Sequence, residues 1–116
     1  MAIDDNEDVT EAPILHAIRV ALGREPGLVL WRISAGVTVD PGSGRRYRAG
    51  MVPGTADLIG ILAPRGRWFA LEVKSPTGRV SREQRLWGEL VQSKGGYWAV
   101  VRSVEDARAA LEDARR

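Results

Sequence analysis

The stretch from Gly54 to Pro76 constrains the fold of this chain more than any other, because a short turn joins two strongly apolar runs there. It reads GTADLIGILAPRGRWFALEVKSP, in which LIGIL and WFALEV are apolar enough to be buried on both faces and PRG supplies the turn. Ionisable residues nevertheless stand at the ends of these predicted strands: Asp57, Glu72 and Lys74. A carboxylate or ammonium is costly to remove from water unless it is paired, hydrogen-bonded or bound to a metal. The stretch therefore predicts two buried strands that carry a polar site.

Periodicity and turn signals in the rest of the chain predict an α/β fold, a mixed central sheet flanked by helices. A first helix is predicted from an N-cap at Thr10 to Gly23, because residues from Glu11 to Leu22 form one stripe at helical spacing. The remaining predicted elements are a strand at 28–33, a hairpin that pairs VTV with RRYR across Asp40–Gly44, strands at 57–62 and 67–74, a helix from Ser81 to Gly95, a strand at 97–102 and a last helix capped by Ser103.

Composition excludes several classes of protein. The chain has no cysteine and a single histidine, His16, so disulfides, thiolate zinc sites and a serine-type catalytic triad are not expected. No apolar run approaches the length of a membrane span, and no signal-peptide layout is present. We therefore expect a cytoplasmic protein that has no membrane partner.

Charge is unevenly distributed along the chain. The first twelve residues hold five acids and no base, whereas the rest hold ten acids and seventeen bases. We predict a disordered acidic leader at residues 1–9 and a single domain at residues 10–116. The positive charge of the domain suits a polyanionic partner, although it is also explained by solubility alone.

The ionisable residues on the two apolar strands have the chemistry of a metal site. Fourteen residues separate Asp57 from Glu72, so neighbouring strands can bring both carboxylates to one ion. Hard oxygen ligands favour Mg²⁺ or Mn²⁺, and the backbone carbonyl of Val73 can add a third ligand. Lys74 projects from the same face as Glu72 and would hold a water or a phosphate oxygen. The alternative is a structural ion pair between Glu72 and Lys74.

Two groups of arginines are candidates for phosphate contacts. Arg45, Arg46 and Arg48 surround Tyr47 in the predicted hairpin, and a second group lies near the start of the second helix: Arg79, Arg82 and Arg85. Such contacts are independent of base sequence, so a nucleic acid bound by these residues would be recognised by its shape. A solvated hairpin edge that is protected by charge is an alternative for the first group.

Taken together, three segments resemble the PD-(D/E)xK nucleases, and more closely their VRR-NUC branch of phage, bacterial and eukaryotic repair proteins. The segments are GTADLIGIL, LEVKSPTGRVSREQRLW and GGYWAVVRSVEDA, and the likeness extends from about Thr10 to Leu111. It implies a restriction-endonuclease-like αβββαβ core and a phage or bacterial protein. One departure is visible, because Ala56 stands where the family pattern has the proline that precedes the aspartate.

The resemblance also implies roles for particular residues. Asp57 and Glu72 would bind the metal, Lys74 would be the catalytic lysine, and Glu11 would be an accessory acid near the metal. The alternative role of Glu11 is to stabilise the helix as an acidic residue at its N terminus. Gln84 matches a glutamine that leans toward the site, but Ser81 and Gln84 also have the spacing of a capping box. We do not expect one side chain to do both, and we predict that Gln84 turns toward the site.

These observations predict a Mg²⁺- or Mn²⁺-dependent nuclease that hydrolyses DNA phosphodiesters. By resemblance its substrates are branched DNA, such as Holliday junctions or flaps. The alternative is a catalytically silent DNA-binding module of the same fold. An enzyme acting on small phosphates is less favoured, because no glycine-rich phosphate loop is present.

A homodimer is expected from the tryptophan content of so small a chain. One core does not easily bury four tryptophans, and exposed aromatic residues are common at interface centres. The residues are Trp31, Trp68, Trp87 and Trp98. A symmetric pair of sites also matches a two-fold symmetric junction. The alternative is that these side chains line the core of a monomer.

Overall fold

The fold is described from a computed structural model, which covers the backbone of residues 3–116 and the side chains of residues 11–34, 39–47 and 50–116. Its elements are α1 (Ile3–Leu22), β1 (Leu28–Arg32), β2 (Ala35–Val39), β3 (Arg46–Gly50), β4 (Leu58–Leu62), β5 (Arg67–Val73), α2 (Arg82–Ser93), β6 (Tyr97–Val101) and α3 (Val104–Ala114). The predicted order of elements and the α/β class are confirmed.

A four-stranded mixed sheet forms the centre of the fold, in the order β1-β4-β5-β6. β4 is antiparallel to both of its neighbours, β1 and β5, and β6 lies parallel to β5. A parallel neighbour requires a crossover connection, and α2 supplies it. The register sets Leu58 opposite Leu71 and therefore brings Asp57, just before β4, to the end of β5 that carries Glu72.

One face of the sheet is fully covered by α1 and α3. The buried side chains at this layer come from both helices and from alternate positions of the central strands: Ile18, Leu22, Leu58, Leu62, Phe69, Leu71, Val73, Val101, Ala107 and Leu111. Because strand residues alternate between faces, the intervening positions Ala70 and Glu72 point to the other side, toward α2. The main core thus fixes the strand ends from which the polar residues project.

The opposite face is covered by α2 only in part. Trp98 packs flat against α2 at Gly88, where an added Cβ would lie 2.2 Å from the indole ring. Ile59 and Ala70 are buried on this face in a second, smaller core. Elsewhere on β1, β4 and β5 the apolar residues of this face stay exposed, with Trp31 48% and Trp68 47% accessible. Val29 and Ile61 are exposed in the same row and pair across the strands. The surface of this face therefore remains apolar beside α2.

The predicted hairpin is confirmed as a second, two-stranded sheet of β2 and β3. Its base is closed by a bond from the Met51 N–H to the Ser34 carbonyl, and its turn by bonds from the Ser43 N–H and hydroxyl to the Asp40 carboxylate. These hydrogen bonds lower the pKa of Asp40. The hairpin follows directly on β1, and at about 3.4 Å per residue its five-residue strands extend about 17 Å from the base.

Two predicted details of the helices are wrong. The first helix begins at Ile3, with Pro13 inside it, and has no N-cap at Thr10. Acidic residues stabilise a helix N terminus because they offset its dipole, and the first turns are rich in them. The backbone of residues 3–9 belongs to this helix. The division of the chain into a leader (1–9) and a domain (10–116) stays a prediction. The helical spacing of Trp87, Leu90 and Val91 predicts that all three lie on the inner side of α2, but Leu90 is exposed.

No helix within the described part of the chain has the length and apolar content needed to cross a membrane.

Candidate active site

Asp57 is held at the end of the sheet by bonds on both sides. Its carbonyl accepts a hydrogen bond from the Ile33 N–H at 2.8 Å, just beyond β1. Its Oδ2 accepts one from the Val73 N–H at 2.9 Å, at the end of β5. Asp57 therefore connects the ends of β1 and β5, through its backbone carbonyl on one side and its carboxylate on the other.

Glu72 is the most strongly perturbed titratable group of the site. Its side chain is only 2% exposed, and its Oε1 has no hydrogen-bond partner among the described residues. Oε2 accepts a bond from Gln84 Nε2 at 3.1 Å and lies 3.9 Å from Lys74 Nζ. Burial and the nearby Asp57 carboxylate raise the pKa of Glu72 to about 9, while Lys74 acts against this shift. A second positive charge would favour its ionised form.

Gln84 belongs to the site and to the helix cap at once. Its Oε1 accepts a hydrogen bond from the Ser81 N–H at 2.8 Å, and its own N–H donates to Ser81 Oγ, which completes the capping box. Its amide nitrogen donates to Glu72. The expectation that one side chain cannot do both is wrong, because an amide carries an acceptor and a donor that point in different directions.

Lys74 is held close to the carboxylates by the backbone on either side of it. Its N–H donates to the Val101 carbonyl at 3.0 Å, which extends the pairing with β6 by one residue. The following turn is fixed by Arg102, whose Nη1 donates to the carbonyls of Ser75 and Gly78. The Lys74 side chain is 12% exposed and its ammonium lies by Glu72. The two side chains thus lie within the distance that the alternative of a structural ion pair requires, next to a carboxylate oxygen that has no partner among the described residues.

A small cavity adjoins Asp57 on the α1 side of the sheet. Its volume is about 130 Å³, and its lining includes Glu11 of α1 and three residues at strand ends: Arg32, Asp57 and Val73. Glu11 also contributes to the raised pKa of Glu72, as a minor cause. Glu11 therefore shares this cavity with Asp57, and its role stays a prediction. The sequence pattern missed Arg32, although a charged residue at the end of the apolar run LVLWRI was a visible signal.

The oxygen ligands of the site fit a divalent cation only in part. Among the described residues, no three His, Cys, Asp or Glu side chains form a group that could hold a metal. The site instead brings two carboxylates together, Asp57 and Glu72, and one buried oxygen of Glu72 lacks a partner. Carboxylate oxygens suit Mg²⁺ and Mn²⁺. Further ligands would have to come from the Val73 carbonyl, from Glu11 or from water.

Comparison with known proteins agrees with this arrangement. The VRR-NUC domain family matches residues 26–105, well over half of the chain. The chain belongs to the VRR-NUC domain family. A solved structure described as a VRR_NUC domain matches with a TM-score of 0.59 and 20% identity, over 89% of this chain and 95% of that one. At this identity the likeness shows the fold. No curated protein matches the chain.

Membership in the VRR-NUC family makes this a nuclease-type domain. The matched range contains Asp57, Glu72, Lys74 and Gln84, whereas Glu11 lies before it. Of the predicted phosphate-binding arginines, Arg45 and Arg46 on the hairpin and three near the start of α2 are exposed: Arg79, Arg82 and Arg85. The Arg48 side chain lies outside the described residues. The roles of all these residues stay predictions.

The raised pKa of Glu72 predicts how the stability of the metal-free VRR-NUC domain depends on pH. Between pH 4.5 and about 9 the folded state keeps a proton that the unfolded state has released, so the free energy of unfolding should fall as pH rises. Urea denaturation in EDTA at pH 5, 7 and 9 measures it. Between pH 5 and pH 9 the free energy of unfolding of the wild type should fall by at least about 1.4 kcal/mol more than that of Glu72→Gln, since one pKa unit corresponds to this value. Parallel pH curves for the two proteins would contradict the assignment.

Proposed function

We propose that this VRR-NUC domain is a Mg²⁺- or Mn²⁺-dependent deoxyribonuclease that hydrolyses phosphodiester bonds. The proposal is carried by one observation, a buried Glu72 with an unpartnered carboxylate oxygen beside Asp57. A buried carboxylate in this state is unfavourable unless a proton or a cation is bound to it. Asp57 and Glu72 would hold the metal, with the Val73 carbonyl and Glu11 as further candidates. Such an enzyme would act inside the cell, in the cytoplasm.

The residues of the site divide the chemistry between them. When bound, a divalent metal supplies an acidic water ligand and stabilises charge on the scissile phosphate. Lys74, close to Glu72 and still partly accessible, would donate a hydrogen bond to the attacking water or to a phosphate oxygen. Gln84 would orient Glu72, because its own amide is held by the cap of α2.

Cleavage of a DNA panel tests this function. Labelled duplex, flap and four-way DNAs are incubated with the protein in Mg²⁺, Mn²⁺ or EDTA. We expect metal-dependent cleavage, strongest on branched DNA. Binding without cleavage under all conditions would instead support a silent DNA-binding module, a candidate favoured by the absence of a three-residue metal cluster among the described residues.

The exposed arginines support recognition by shape. The hairpin begins beside Asp57 and carries Arg45 and Arg46 near its tip, about 17 Å away by strand geometry. At the other side of the site, the Gln84–Glu72 bond ties the start of α2 to the carboxylates. Phosphate contacts at both places would position a branched DNA over the site without reading bases.

Reversing the charge of the hairpin should flatten the salt dependence of DNA binding. Each neutralised phosphate contributes about 0.9 to the slope of log affinity against log salt, so Arg45→Glu with Arg46→Glu should lower that slope by about 1.8. Fluorescence anisotropy in Ca²⁺ measures it. The matched control reverses two exposed arginines near the opposite end of the sheet, Arg24 and Arg65. Equal slopes for the two double variants would show that the hairpin arginines do not contact DNA phosphates and serve only solubility.

A homodimer is proposed from the apolar face that α2 leaves uncovered. Trp31, Ile61 and Trp68 are exposed there in neighbouring strands, and Leu90 adds to the surface from α2. Light scattering at micromolar concentration should give twice the monomer mass. Ile61→Lys, which puts a charge into the centre of this row, should give a monomer that still folds. A wild-type mass equal to the monomer across the dilution range would reject the dimer.

A further inference from the structure

The cavity beside Asp57 has the size of a phosphate site. Its volume of about 130 Å³ corresponds to about four waters at roughly 30 Å³ each. Pockets for nucleotide-sized ligands are usually about 300–1,000 Å³. Ala12, Leu15 and Val73 form the apolar part of the wall, and the charged part consists of Arg32 and two carboxylates, Glu11 and Asp57. One tetrahedral group with its waters therefore fits, and a base with its sugar does not.

Arg32 is the cation of this cavity. It ends β1, and the Ile33 N–H that follows is bonded to the Asp57 carbonyl, so the backbone at Arg32 is fixed beside the site. Its side chain is exposed, and it forms no ion pair with any described residue although Asp57 lines the same cavity. A guanidinium that shares a cavity with a carboxylate and does not pair with it is available to an anionic ligand.

The order of the strands sets Arg32 and Lys74 on opposite sides of the carboxylates. Across the sheet edge, Arg32 ends β1, Asp57 directly precedes the adjacent β4, and Lys74 directly follows β5, which contains Glu72. Neighbouring strands are about 4.8 Å apart, so about 10 Å separates the backbones of the two cationic residues. A phosphodiester that reaches Asp57 and Glu72 would thus meet a cation on each side. Lys74 is already close to Glu72, whereas Arg32 forms no ion pair within the described part of the chain.

We propose that Arg32 binds the scissile phosphate in the cavity beside Asp57, as a substrate-contacting residue of the site. The proposal rests on the proposed nuclease function. The planar guanidinium donates two parallel hydrogen bonds to phosphate oxygens, which a lysine cannot reproduce. Lys74 is then left for the attacking water, so the two cations have separate tasks.

Binding to DNA with one neutral phosphate tests the proposal without relying on cleavage. The substrate is the branched DNA that the wild type cuts, with the mapped cleavage position as a phosphate or a methylphosphonate, and affinity is measured in Ca²⁺. Loss of a charge-assisted contact predicts about tenfold weaker binding of the phosphate DNA by Arg32→Ala. On methylphosphonate DNA the same variant should bind as the wild type does. Arg32→Lys should recover part of the affinity, and Arg65→Ala is the control.

The outcomes separate this inference from the function on which it rests. If the wild type cuts DNA and Arg32→Ala binds both DNAs as Arg65→Ala does, Arg32 makes no such contact and the inference is overturned. An equal loss on both DNAs also overturns it, because the contact then lies at another phosphate. A wild type that cuts no DNA removes the proposed function itself.

Discussion

Neutralising either carboxylate of the site should abolish cleavage while the protein stays folded. We expect Asp57→Asn and Glu72→Gln to cut DNA at least about a thousandfold more slowly, because each removes a ligand from a metal that contributes several kcal/mol of charge stabilisation. Lys74→Met should lose about 10²–10³-fold, the usual effect of removing one donor from developing charge. Single-turnover cleavage with saturating Mn²⁺ measures all three, and Glu89→Gln, an exposed acid on α2, is the control.

Isosteric variants are needed because these residues also have structural contacts. The Asp57 carboxylate accepts the Val73 N–H, and alanine would leave that donor unpaired at a cost of about 1–3 kcal/mol. Glu72→Gln keeps an acceptor for Gln84 and is neutral, as the protonated Glu72 of the metal-free protein is, so its melting temperature without metal should not fall. A large fall would identify the Glu72–Lys74 contact as a structural ion pair. Full cleavage by any of the three variants would overturn the metal-site assignment.

Removing Gln84 should weaken both activity and stability, because its side chain has two separate contacts. Gln84→Ala loses the bond to Glu72 and the bond from the Ser81 N–H. We expect cleavage to fall about 10- to 100-fold, as for other residues that orient a metal ligand. The free energy of unfolding should fall by about 1 kcal/mol, the typical contribution of a helix cap.

Two partner variants distinguish these contacts. Ser81→Ala removes the hydroxyl that accepts the Gln84 N–H but leaves the Gln84–Glu72 bond, so it should lose about 1 kcal/mol of stability and keep its cleavage rate. Gln84→Glu keeps the acceptor for the Ser81 N–H and places a carboxylate against Glu72. It should keep most of the cap and lose cleavage. If Ser81→Ala lost as much activity as Gln84→Ala, the effect of Gln84 would come from the helix alone.

Local patterns in the sequence were sufficient for the elements and for the position of the site along the chain. The apolar runs LIGIL and WFALEV predicted β4 and β5, and the turn residues between Asp40 and Gly44 predicted the hairpin. The caps at Ser81 and Ser103 were also readable, because a cap is formed by residues three apart. The start of α1 could not be predicted in this way, because a proline in the first turns of a helix does not show where the helix begins.

The sequence by itself determined that three ionisable residues stand at the ends of two adjacent buried strands, because strand period and spacing are local properties. Only the tertiary structure decided which groups meet them. The crossover through α2 returns Gln84 to Glu72, and the pairing of β1 with β4 brings Arg32 to Asp57. The same packing leaves Trp31 and Trp68 exposed while Trp98 packs against Gly88. These contacts join residues distant in the chain, and no local spacing encodes which strand becomes the neighbour of which.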